Sequence, residues 1–448
     1  MRLILVVNVI VCCILLSHGE TTDCQNKKTF IICQNSDIIT SVSRDPKQYE
    51  RSLTLGDANG VASNAFKDLD IQELTIVRTE AYWKPRPPHE FSLHQDSLTG
   101  LRSLTNLKLS GVGLIFEGHP LIPLCSLDVL ELEDVGLTDV PSDFFARSNL
   151  TKLYMKDNDL AVIRVNAFDP LENLELLSLQ DNRIRTLEPG CFDGLPKLSR
   201  LDLSYNKLIL TPGIFSSLKK LNHLDLTNGV KTFDPQAFRG LPNLKQLIIP
   251  KIDIVLEPGM FQDSLRLEDI HMRKSRFQHI PKNVFNNLTS LKFLTLSFNP
   301  LKSIEPGAFA GTRVANLNLE AGYDGQVIQP GVFSNLTATK FIFWWNNHLD
   351  IKPRAFDGLK TDYLALCGNN LGKIANDTFT GAEIGKLDLR SGAIHEFEPD
   401  AFRNATIGSI IVDSYGIFAT DRSNWGIPDS IRIELYHYAL RKKINFPS

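Results

Sequence analysis

The chain has 448 residues, 43% of them hydrophobic, and its 48 lysines and arginines nearly balance 51 aspartates and glutamates, for a net charge of −3. That hydrophobic content suits a folded chain rather than a disordered one. The charge balance argues against a nucleic-acid partner, which favours a basic stripe.

Residues 1–19 read as a secretory leader. Arg2 supplies a positive end, Leu3 to Leu16 is apolar apart from Asn8, and Ser17-His18-Gly19 places small residues for cleavage before Glu20. The run is too short to span a bilayer. The end of the chain, from Tyr436 to Ser448, lacks the hydrophobic tail of a lipid-anchor signal. The expectation is a secreted, extracellular chain with no transmembrane or lipid anchor.

Beyond the leader, Cys24 and Cys33 bracket the apolar segment Phe30-Ile31-Ile32. A repeat then sets in, displayed most fully by residues 174–195. Leu174, Leu177 and Leu179 open it, Asn182 and Ile184 follow, then Leu187, Pro189, Phe192 and Leu195. Leu177-Ser178-Leu179 alternates with the period of a strand. An asparagine leaving the strand can bond the backbone of its own turn and of the next coil. Copies begin at Leu53, Leu74, Leu107, Leu130, Leu153, Leu177, Leu201, Leu224, Leu247, Ile270, Leu294, Leu317, Phe341, Leu364, Leu387 and Ile410, with steps of 23 or 24 residues after the first two. One such coil cannot bury its apolar face alone, whereas stacked copies can.

This pattern, L-x-x-L-x-L-x-x-N-x-L with a trailing Phe, resembles the extracellular leucine-rich-repeat family. The resemblance covers residues 53–412 and implies an α/β solenoid, a horseshoe of about 16 repeats with one parallel β-sheet on its concave face. It also implies that residues 20–52 are an N-terminal cap stapled by a Cys24–Cys33 disulfide, although the family's usual cap carries four cysteines. Residues 413–448 remain as a C-terminal cap or tail, in which Trp425, Ile431, Ile433 and Leu435 could cover the end of the core.

The repeat is irregular in places. About ten extra residues, including Trp83 to His89, separate the second and third copies. This Pro-rich stretch is either a partner-contacting loop or a tolerated surface insertion. The asparagine slot is kept at Asn158, Asn182, Asn206, Asn299, Asn346 and Asn369, and is lost at Val112, Val135, Ile252, Ser275, Gly322, Gly392 and Tyr415. Cys125, Cys191 and Cys367 fall in different coils. Strands about 4.8 Å apart keep residues three coils apart from bridging, and Cys191 is expected to be a buried free thiol. Glycosylation sequons stand at Asn149, Asn287, Asn335, Asn376 and Asn404, all off the expected strands.

No motif points to catalysis, so the chain is expected not to be an enzyme and to need no cofactor. His89-Glu90-Phe91-Ser92-Leu93-His94 misses the zinc-protease spacing by one residue, so no metal site is assigned. The outward residues of each strand remain. Most are ordinary polar residues, but in Phe341-Ile342-Phe343-Trp344-Trp345 the phenylalanines take core positions while Ile342 and Trp344 face out. Exposed apolar clusters are uncommon without a partner, although the rings could equally pack on neighbouring strands. The candidate partner site is Ile342, Trp344 and Trp345, with His271 and Arg273 three strands away. The expected function is recognition of an extracellular protein or glycan through the concave face, in adhesion or immune recognition. The alternative is a non-catalytic subunit of a secreted enzyme complex, bound to a catalytic chain. Residues 384–402 are similar to the leucine-rich subunit of crustacean luciferin monooxygenase.

Overall fold

The structure is a computed structural model that describes residues 23–27, 29–44, 49–78, 90–249, 251, 253–323, 327–346, 348–413, 427–437 and 442–445. The expected leader at 1–19, the segment from Trp83 to His89, Trp425 and the slot residues Ile252 and Tyr415 lie outside the described residues. The chain divides into two compact units, residues 1–198 and 199–448.

The first unit opens with three antiparallel strands, Asp23–Lys27, Phe30–Asn35 and Ile38–Arg44. Cys24 lies directly opposite Cys33, and the two are disulfide-bonded. Parallel strands follow at Ser52–Gly56, Glu73–Val77, Asn106–Ser110, Val129–Glu133, Lys152–Tyr154 and Leu176–Ser178. The second unit continues this coil pattern, each coil adding one strand to the main parallel sheet from Arg200–Asp202 to Thr406–Asp413, while short second strands such as His279–Ile280 and Ser303–Ile304 pair in small separate sheets. A further strand, Arg432–His437, pairs in parallel with Thr406–Asp413 and is closed by antiparallel Lys442–Asn445.

These are the coils of a β-solenoid with about 16 turns. The α/β label does not hold: among the described residues the only helical pieces are two 3₁₀ turns, Ser142–Phe145 and Pro235–Phe238. The return segments explain why. Between Glu188 and Leu195 the backbone closes three short turns, with the N–H of Cys191, Asp193 and Leu195 each bonded three residues back. Pro189 and left-handed Gly190, at φ +81°, punctuate them, so no α-helical ladder can propagate.

The core is filled from two sides. Strand leucines point inward, and a column of phenylalanines meets them. Phe238, Phe261, Phe285, Phe309, Phe333, Phe356, Phe379 and Phe402 stack ring on ring, with centroids 5.3–6.4 Å apart. In the first unit, Phe168 and Phe192 stack in the same way at 6.3 Å. The asparagines link one coil to the next. Asn369 is fully buried, donates to the carbonyls of Phe343 and Leu366 at 2.6 and 2.8 Å, and accepts from the Asn346 N–H at 2.7 Å. Where the slot holds Ser275, its hydroxyl donates to the Ile249 carbonyl at 2.6 Å.

Strand length changes along the second unit. Most coils with buried residues three apart, such as Leu241 and Leu244, have three-residue strands, while Leu288 and Leu291 go with a strand of five. Where the step shortens to two, as at Leu336 and Ala338, Leu359 and Thr361, or Ala382 and Ile384, the strands lengthen to six. A two-residue step is the period of extended chain.

Candidate binding face

Each strand presents alternate residues on the outer face of the sheet. In the second unit the middle outward row runs His271, Thr295, Asn318, Ile342, Ala365 and Asp388 in register. His271 therefore sits three strands from Ile342, about 14 Å at about 4.8 Å per strand. Both side chains are half-buried, while Arg273 is exposed and lays its guanidinium over the Phe298 ring, 4.5 Å from the centroid.

Trp344 and Trp345 follow the Thr337–Ile342 strand and stack on each other, centroids 6.1 Å apart. Trp344 is half-buried, and its indole N–H is enclosed with no hydrogen-bond partner. Trp345 stands at the corner where the chain leaves the sheet, at φ +53°, and is 67% exposed. Its ring lies against Gly368, where a Cβ would come within 2.2 Å of it. Glycine in the next coil is therefore what seats this ring. The phenylalanines of the segment are core residues: Phe341 and Phe343 are fully buried and pack edge-on to Phe333.

Reading only two outward positions per strand misses a third row, the residue just before the first inward one. It holds Asp269, Phe293, Asn316, Lys340, Tyr363 and Lys386 in register. Phe293 is 46% exposed and lies on the same face as Ile342. The alternation of the strand, extended by one residue, would have found it.

Not every outward residue is free. Asp388 is fully buried on this face, receives the Tyr363 hydroxyl at 2.6 Å, and is held by Arg390 at 2.6 and 2.9 Å. Arg390 in turn covers the Tyr436 ring at 4.6 Å, and Lys386 pairs with Glu434 at 3.1 Å. Hydrogen bonding to Asp388 raises the Arg390 guanidinium further above its ordinary value, and burial raises the Tyr363 phenol. This cluster ties the last strands together. Burial also pushes the neighbouring Cys367 thiol up to about 12.

The five sequon asparagines are exposed. Asn287, Asn335 and Asn404 have a structural reason to be there: each follows a core phenylalanine by two residues at φ +53° to +60°, where Gly240, Gly311, Gly358 and Gly381 stand in other coils. Asparagine is one of the few residues with a side chain that tolerates this conformation. Among the described residues, no helix is long and apolar enough to cross a membrane, and no group of three or more His, Cys, Asp or Glu is placed to hold a metal ion.

A leucine-rich-repeat family model matches residues 148–208, and the BspA-type leucine-rich-repeat region matches 214–335, 254–383 and 302–418. No curated protein matches the sequence. Several solved structures share the fold. TLR13, in its complex with ssRNA13, is 22% identical, matched over 86% of this chain and 54% of its own, with a TM-score of 0.59. A leucine-rich-repeat protein of Leptospira interrogans is 20% identical over 77% of this chain and 84% of its own, with a TM-score of 0.51. A chain of the glycosylated Toll–Spatzle complex of Drosophila is 15% identical over 94% of this chain and 69% of its own, with a TM-score of 0.54. The present chain thus spans about half the length of TLR13. At these identities the likeness is one of fold. The repeat models span more than half of the sequence, and the coils they describe are the coils of the structure: the chain belongs to the leucine-rich-repeat family.

Proposed function

We propose that the chain is a secreted, glycosylated binding protein that captures an extracellular protein on the outer face of its parallel sheet, with Trp344, Trp345 and Ile342 as the anchor. The observation that carries this reading is the stacked tryptophan pair. One ring is 67% exposed and the other half-buried on the same face. Tryptophan is among the residue types most enriched at binding hot spots. Phe293, His271 and Arg273 extend the same face. The leader-like residues 1–19 and the five exposed sequons support an extracellular setting. Neighbours of this fold have been solved bound to an RNA and to Spatzle. The net charge of −3 favours a protein partner over a nucleic acid.

The test is capture from the native secretion on immobilised wild-type and Trp344→Ala chains, read by mass spectrometry. The expected result is one stoichiometric non-catalytic protein retained by the wild type and lost from the variant. A stoichiometric catalytic chain would instead support the enzyme-subunit role. A ligand lost from Trp83→Ala but kept by Trp344→Ala would move the site to the Pro-rich insertion.

A further inference from the structure

A second surface lies along the edge where the strands of unit 199–448 end. In every described coil there, the residue after the last outward position turns in the left-handed region. In the first unit that corner is held by Asp57, Gly111, Asp134, Asp157 and Asp181, residue types that accept such a backbone readily. Lys251, Lys274 and Phe298 occupy it in three successive coils of the second unit, at φ +63°, +58° and +58°. Tyr205 and Trp345 also put large side chains at this corner, but Lys251, Lys274 and Phe298 stand together in successive coils.

These corners border an open, groove-like cavity of about 660 Å³. Lys251, Lys274, Arg276, Phe298, Ala321 and Gly322 are among the residues that line it. Gly322 has no room for a side chain, since a Cβ would stand 2.3 Å from the Asn299 carbonyl oxygen. Among the described residues that line it, the cavity holds three cations and no carboxylate, in a chain whose net charge is −3. The nearby Asp253 reaches only Arg276, at 3.5 Å, and both side chains are more than two-thirds exposed, so that pairing is weak. Arg273 adds a fourth cation over Phe298. Four of the five sequons, at Asn149, Asn287, Asn335 and Asn404, come just before a strand begins, and Asn376 lies in the return segment between Lys373–Ile374 and Glu383–Asp388, so no sequon stands at this corner.

We infer that this corner cavity binds the sulfate or carboxylate groups of an acidic polysaccharide. Positive side chains on successive coils match a polymer whose charges recur along its length. Single-stranded nucleic acid uses free aromatic faces for stacking, and among the described residues the one aromatic ring lining this cavity, Phe298, already carries Arg273 at 4.5 Å and Lys274 at 5.7 Å. The site does not involve the tryptophan pair.

The experiment is a titration of the full glycosylated chain with a heparin octasaccharide at several salt concentrations. Lys251→Asn/Lys274→Asn removes two charges while placing asparagine, which tolerates the left-handed region, at both corners, and its melting temperature should stay close to that of the wild type. It should weaken heparin binding about tenfold or more. Lys219→Ala/Lys220→Ala, which removes the same charge from the side where strands begin, should change binding by less than about threefold. Trp344→Ala should bind heparin like the wild type. No wild-type binding at physiological salt, or equal weakening in the two double variants, overturns the inference. So does an oligouridylate RNA of matched charge that binds as tightly through the same lysines.

Discussion

At the scale of single residues, the buried polar groups hold the coils in register. Asn369 satisfies backbone groups of two coils at once, so Asn369→Ala should cost at least about 2 kcal/mol by leaving buried donors and acceptors unpaired. Urea unfolding measures this, and an unchanged midpoint would remove the asparagine from the account. The slot was legible in the sequence because an amide at a fixed step is visible there. The burial of Asp388 was not, because it depends on Tyr363 from the neighbouring strand, which only folding brings beside it. Burial, reinforced by Asp193, pushes the Cys191 thiol up to about 12. Its folded value thus exceeds the unfolded one of about 8.5. The stability linked to it is complete below that unfolded value and declines as pH rises from there toward the folded value. The urea midpoint should therefore fall above about pH 9. Native labelling at pH 8, followed by peptide mapping, should modify exposed Cys125 and spare Cys191 until the chain unfolds.

At the scale of elements, the phenylalanine column sets how damage spreads. Phe285 stacks on Phe261 and Phe309 at 5.8 and 5.6 Å and is fully buried. Phe285→Ala should cost about 3–5 kcal/mol through the cavity it opens. Because coils couple mainly to their neighbours, hydrogen exchange should rise first in the strands at Asp269–His271 and Leu291–Thr295. A uniform rise along unit 199–448 would contradict nearest-neighbour coupling. The column could be counted in the sequence, since each phenylalanine recurs at the coil period. The absence of α-helix was also written there, in Pro189, Gly190 and Gly194, but the family resemblance masked it. The lengthened strands were legible too, as a buried step of two residues instead of three.

At the scale of the whole molecule, each coil adds the same buried core and a different set of outward side chains, so function rests on the few outward positions that depart from ordinary polar residues. The sequence singled out Phe341 to Trp345 because aromatic residues there replace the usual strand pattern. It could not show that Trp345 leaves the strand at a left-handed corner, or that Gly368 seats its ring, since both depend on how one coil lies against the next. The central claim is that this pair is a binding anchor and not packing. The most direct measurement compares the affinity of wild-type and Trp344→Ala chains for the captured partner alongside their melting temperatures. The predicted result is a loss of at least about 2 kcal/mol in binding, roughly thirtyfold in Kd, with the melting temperature nearly unchanged. Full affinity in a variant that melts markedly lower would contradict it, and would make Trp344 a packing residue of the sheet.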